Sequence, residues 1–322
     1  MTEGAVGASA TPEAADRPAG RAAPLGWAAV ALGSAVLAAG ATGGLTGGMP
    51  AVLAATLTRG AMDVAGVACV GAVLLALLAP GHAAAAAPVL RGAATVWLGA
   101  GLLDLVFRTA LVLGKPVTEV QPPDLVAFVT GPSAGTGLVA GVTAAALVLG
   151  CSIAGPLGEW QGPGPAWLTL VLALAGLAGP AATGHATGSG EVPAIVAVVL
   201  HAPAAALWVG GLAAMLVVAG QRDVLVSALP RFSRLAVVCI TVLAVTGVVA
   251  ATARIDAVSE LASPYGALLF AKAGCLLAAG VLGGLTRRRL HTGRTPVLTW
   301  AGVEVLVLAV AVGLAGTLSQ TA

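Results

Sequence analysis

The chain has 322 residues, 58% of them hydrophobic and only 9% charged, with a mean hydropathy of +1.01. A water-soluble domain carries roughly 25% charged residues, so this composition excludes a soluble fold and makes lipid the solvent for most of the surface. The formal net charge of +2 is no signature of a nucleic-acid partner, and the basic residues matter through where they stand.

From Met1 to about Ala23 the chain is polar and rich in Ala, Gly and Pro, which predicts a disordered tail. It is too long and too mixed in charge for a signal-peptide n-region, so the first apolar run is expected to be a retained span. A span needs about 20 apolar residues to cross the hydrocarbon. That ruler predicts nine, at about 25–43, 62–80, 93–113, 133–154, 166–183, 193–219, 231–252, 265–285 and 297–318. The expected fold is therefore all-α, a polytopic transmembrane bundle of about nine spans with no soluble domain. Gly47-Gly48-Met49-Pro50, Pro80-Gly81, Gln121-Pro122-Pro123 and Gly162-Pro163-Gly164-Pro165 mark turns between helices. Leu125–Thr130 is apolar too, and Gly131-Pro132 separates it from the fourth span.

The 45 glycines have two readings: close helix packing, or the codon bias of a GC-rich genome. Cys69, Cys151, Cys239 and Cys275 stand far apart in apolar runs, without C-x-x-C spacing, and read as small buried hydrophobes.

Basic residues in short loops orient the bundle. With the N-terminus in the cytoplasm, the inner side holds Arg17, Arg21, Arg91, Arg222, Arg231, Arg234, Arg287, Arg288, Arg289 and Arg294. The outer side holds only Arg59, Lys115 and Arg254, while Arg108 and Lys272 fall within spans. The C-terminus is then expected outside, with the bundle in the plasma (inner) membrane.

From the sixth span onward a recognisable order of motifs appears. Gly184-His185 lies in an outer loop, then His201 in the span, then Leu207-Trp208-Val209-Gly210-Gly211-Leu212. Arg231-Phe232-Ser233-Arg234-Leu235-Ala236 opens the seventh span, which also holds Thr246-Gly247. Pro264-Tyr265-Gly266, Leu268-Leu269 and Lys272 enter the eighth, Arg287-Arg288-Arg289 leaves it, and Glu304 sits in the ninth. This succession resembles the copper-resistance D (CopD) family, of the actinobacterial type, over about 180–318. Residues 25–180 match it only as a run of apolar spans. The resemblance implies copper handling at a bacterial inner membrane. It divides the chain into a cytoplasmic tail (1–23), a variable five-span region (24–183) and a CopD-like four-span domain (184–322).

His201 is the leading candidate for chemistry. It lies roughly 12 Å below the outer end of its span at 1.5 Å per residue, and imidazole is a competent copper ligand. The other reading is a histidine hydrogen-bonded to a neighbouring helix as interhelical glue. His185 in the loop, with Glu191 close in sequence, would complete an outward-facing capture site; it reads equally as an exposed loop histidine. A third metal ligand is needed, and Met49 is the candidate, with Met62 expected on the same side, since thioethers suit Cu(I). Trp208, two turns beyond His201, would pack on the imidazole or wall a cavity. Asp104 and Arg108 share one helix face and are expected to form an ion pair. Lys272 and Glu304 are the other intramembrane charges. Their depths differ by roughly 10 Å, and Asp104 is at a more similar level for Lys272. These charges read either as a proton or ion relay or as fold-specifying pairs. His82 and His291 fall in inner loops.

The function these residues and the resemblance imply is copper transport, an inward route from His185 and His201 through the C-terminal bundle. The expected partners are the lipid bilayer, the copper ion and an extracytoplasmic copper-binding protein, with no nucleic acid. A non-transporting copper sensor or oxidase-assembly partner is the alternative, and a haem-bearing electron-transfer protein a third. No His-Glu-x-x-His or Walker loop occurs, so an enzyme is not expected.

Overall fold

In hydrocarbon every backbone N–H and C=O has to be satisfied within the protein, and for Ala-, Leu- and Val-rich runs the α-helix does this segment by segment. The computed structural model describes residues 29–33, 36, 49–131, 133–155, 164–183, 192–218, 221–252 and 264–291, with 303, 306, 307 and 310. The helices are α1 (Met49–Leu78), α2 (Ala83–Leu113), α3 (Pro122–Thr130), α4 (Ser133–Ala154), α5 (Gly164–Ala182), α6 (Val192–Val217), α7 (Arg222–Thr252) and α8 (Pro264–His291). Three-residue 3-10 turns at Pro80–His82 and Val117–Glu119 join neighbours. No strand occurs among the described residues. Six of these helices, α1, α2, α4, α5, α6 and α7, are long and apolar enough to cross a membrane; the apolar part of α8, Leu269–Leu285, is shorter.

The punctuation residues fall where the chain turns. Pro50 occupies the first turn of α1, where a missing N–H costs nothing. Gly114, at φ 62, closes α2 in the left-handed conformation that glycine adopts without strain. Gly131 ends α3, so the apolar stretch Leu125–Thr130 is a short separate helix and α4 occupies the predicted fourth span, 133–154. The second span is longer than predicted. Thr58, Arg59 and Gly60 looked like loop, but α1 runs through them from Met49, because Arg59 finds Asp63 one turn on and Leu32 packs over Gly60. Likewise α2 begins ten residues before the predicted 93, so Arg91 is an exposed helical residue rather than a loop residue. The tail (1–23) lies outside the described residues. Of the first and ninth predicted spans only helical fragments are described, at 29–33 and 36 and at 303, 306, 307 and 310.

α1 is the axis of the bundle. It packs most extensively on α2 and also touches α5, α6 and α7, while α4 pairs with α5 and α2, and α6 with α7. Glycines set the closest approaches. A Cβ on Gly71 of α1 would fall 2.5 Å from the Gly210 carbonyl oxygen of α6, and one on Gly210 would fall 2.7 Å from the Val67 oxygen, so these two helices meet backbone to backbone. Trp97 of α2 slides its indole between Gly66 of α1 and Gly176 of α5 and is buried; its Nε1 has no hydrogen-bond partner among the described residues. None of the four cysteines is paired; Cys69 and Cys239 are buried and Cys151 and Cys275 half-buried.

Candidate functional site

Thr246 and Gly247 on α7 present a hydroxyl and a bare backbone to α6, and His201 is the side chain that meets them. Its Nδ1 is 2.8 Å from Thr246 Oγ1, and its Cε1 lies over Gly247. Thr246 has one hydroxyl proton, and its Oγ1 is 2.6 Å from the Val242 carbonyl oxygen, a separation at which that proton must lie between the two oxygens. Thr246 therefore donates to Val242 and accepts from His201, which puts the imidazole proton on Nδ1. The second nitrogen, Nε2, keeps its lone pair. Fixing one ring nitrogen by a hydrogen bond and leaving the other free is how proteins prepare a histidine as a metal ligand. The same contact is also an interhelical bond, so both readings of His201 share one geometry.

Lys272 on α8 is half-buried and close enough to interact electrostatically with His201, and it forms no ion pair among the described residues. Trp208, two turns along α6 from His201, is buried in the apolar core. Gly211, three residues on, lies against the Phe232 ring of α7, so the Trp208–Leu212 and Arg231–Ala236 motifs are two sides of one helix contact. Met49 is the first residue of α1. Met62, expected beside it on the outer side, instead lies about 20 Å further along the helix, buried in the core against Gly101. His82 sits in a 3-10 turn and His291 ends α8. His185, Glu191 and Glu304 lie outside the described residues. Among the described residues no three His, Cys, Asp or Glu side chains come together as a metal cluster.

The intramembrane charges form a larger assembly than the sequence suggested. Arg108 Nε donates to Asp104 Oδ2 at 3.1 Å, as the four-residue spacing predicts. A second pair, Arg59 Nε to Asp63 Oδ2 at 3.2 Å, stands beside it on α1. Thr58 Oγ1 lies 3.4 Å from Asp104 Oδ1, Arg59 also attracts Asp104, and Arg108 also attracts Asp63. The result is a charge-neutral quartet across the α1–α2 contact. It corrects two expectations: Arg59 is a helix residue rather than an outer-loop residue, and Asp104 is engaged by Arg108, Thr58 and Arg59 rather than by Lys272. The Arg-x-x-x-Asp spacing at 59–63 was the available signal, hidden by reading that stretch as loop.

Outside the spans, Asp124 caps α3 in a reciprocal capping box with Gln121 and pairs with Lys115 at 2.9 Å. The Gln121 N–H, and then the Lys115 ammonium, hold its carboxyl below the ordinary value.

Family comparisons place both halves of the chain. Residues 49–194 match the copper resistance protein D-like N-terminal domain, and residues 226–318 match copper resistance protein D. No curated protein and no solved structure matches the chain. The interval between the two matches is mostly α6, the helix that carries His201 and packs on α1 and α5 on one side and α7 on the other. With both of its matched segments accounted for by the same family, the chain belongs to the copper resistance protein D family and is a multi-pass helical membrane protein of copper handling.

Proposed function

We propose that the protein carries copper across the plasma membrane, inward, through the helices around His201, and that it does so as a carrier rather than an enzyme. The observation that supports this reading is the Nε2 of His201, which has no hydrogen-bond partner among the described residues. It is a nitrogen donor suited to copper, held in one tautomer by Thr246, on a half-buried ring within the membrane. The orientation in this reading, N-terminus cytoplasmic and C-terminus outside, rests on the bias of basic residues along the sequence toward one side of the predicted spans. His201 then lies toward the outer face, where His185 and Met49 would supply further ligands and an extracytoplasmic copper-binding protein would deliver the ion.

The test is copper-dependent accumulation by cells producing His201→Ala, with membrane insertion checked in parallel. Accumulation should fall to the background of cells lacking the protein. Unchanged uptake by a normally inserted variant removes His201 from the route. Reconstitution into proteoliposomes distinguishes a carrier from a copper sensor or assembly partner, which would bind the ion without moving it.

A further inference from the structure

α7 keeps two faces apart along its length. Phe232, Cys239, Leu243 and Thr246 recur at helical spacing and all are buried. Phe232 lies over Gly211 of α6, and Thr246 meets His201. The opposite stripe carries Arg231, Arg234, Val237, Val238, Val245 and Val248, all exposed, the valines at 55–63%. Only 17% of the apolar part of α7 is buried, against 33–61% for the other five spanning helices, so this is the helix most open to lipid.

The order of residues along the stripe sets the chemistry of its partner. Beyond Arg234 about 18 residues remain to the end of α7 at Thr252, about 27 Å at 1.5 Å per residue. That is close to the hydrocarbon thickness of about 30 Å. Both guanidiniums therefore stand at headgroup level, one turn apart on one face, and the run from Arg234 to Val245 covers about 16 Å, the depth of one leaflet. Neither arginine forms an ion pair among the described residues. Asp223, the acidic residue of α7, stands more than two turns before Arg231. Guanidinium matches phosphate oxygens two at a time. Two cations without a carboxylate favour a headgroup whose phosphate is not offset by its own ammonium.

We propose that this stripe of α7 is a binding site for an anionic phospholipid, with its phosphate on Arg231 and Arg234 and an acyl chain along the valines. The site lies on the face opposite Thr246 and stands whether or not copper passes His201.

Native mass spectrometry of the full chain in detergent, titrated with phosphatidylglycerol or phosphatidylcholine, tests it without copper. Wild-type protein should bind phosphatidylglycerol about 30-fold more tightly, with about a fivefold share from each arginine. Arg231→Gln combined with Arg234→Gln should remove the preference. Each single variant should lose about fivefold, and these decide the matter if the double variant does not insert. Arg91→Gln, which removes an exposed arginine of α2, should leave the preference intact. Inorganic phosphate should not displace the lipid, because it has no chain to lie along the valines. No preference in wild-type protein, its survival in the α7 variants, an equal loss in Arg91→Gln, or displacement by inorganic phosphate overturns the assignment.

Discussion

His201 Nδ1 and Thr246 Oγ1 lie 2.8 Å apart across the α6–α7 contact, and the threonine's own proton is already given to Val242. One hydroxyl on one helix therefore determines which nitrogen of an imidazole on another keeps its lone pair. This relation links the packing of two helices to the tautomer of the histidine between them.

On the proposed copper route, Thr246→Val should weaken copper binding and uptake by about 10–100-fold, the usual effect of removing the partner of a ligating histidine. Thr246→Ser retains the hydroxyl and should recover most of the loss. Copper content of the purified variants, with nitrogen-15 chemical shifts of His201 to report the tautomer, measures both.

The ion pair on α2 predicts an asymmetric response. The Asp104 side chain is 0% exposed and the Arg108 side chain 26%. Arg108→Ala strands a carboxylate in the core and should cost about 3–5 kcal/mol, the range for breaking a buried pair. Asp104→Ala leaves a guanidinium that can reach the edge of the bundle and should cost less, and the double variant should resemble Asp104→Ala. Unfolding in detergent, followed by circular dichroism, ranks the three.

Replacing helical glycine by alanine ordinarily stabilises by about 0.5–1 kcal/mol. At Gly210 the sign should reverse, because the new Cβ would stand 2.7 Å from a backbone oxygen of α1 that cannot yield without moving the helix. A loss of about 1–3 kcal/mol is expected, as for other overpacked contacts. Gly99→Ala and Gly150→Ala, where no atom lies within 4 Å, should show the ordinary gain. Thermal midpoints in one detergent separate the two classes.

The capping box of α3 should loosen in acid. The folded carboxyl of Asp124 is held below its unfolded value of about 3.9, so its contribution is complete above that pH and disappears as pH falls through the lower folded value. Hydrogen exchange at the Gln121, Asp124 and Leu125 amides should accelerate over that window in wild-type protein. In Asp124→Asn it should be fast throughout and nearly independent of pH beyond the intrinsic exchange rate.

Some of the site could be read along the chain and some could not. Asp104–Arg108 was legible because both partners ride on one helix, where a four-residue spacing brings side chains together in any helical fold. Arg59–Asp63 obeys the same spacing and was missed, since polar residues before an apolar run look like loop until their charges are seen to cancel. The facing of His201 and Thr246 had no such local signature: the two are 45 residues apart, and only the rotation and depth of α6 against α7 make them neighbours.

Composition by itself determined the solvent. A chain so poor in charge can expose its side chains only to lipid, and there its long unbroken apolar runs satisfy their backbone as helices, whose ends Pro and Gly then mark. The tertiary structure alone decided which face of each helix turns inward. Lipid tails are as apolar as leucine, so core-facing and lipid-facing residues look alike in sequence, and the pattern that orients a helix in a soluble protein is missing. What oriented these helices was close contact at Gly71 and Gly210, the Trp97 slot, and the few polar groups that had to find one another.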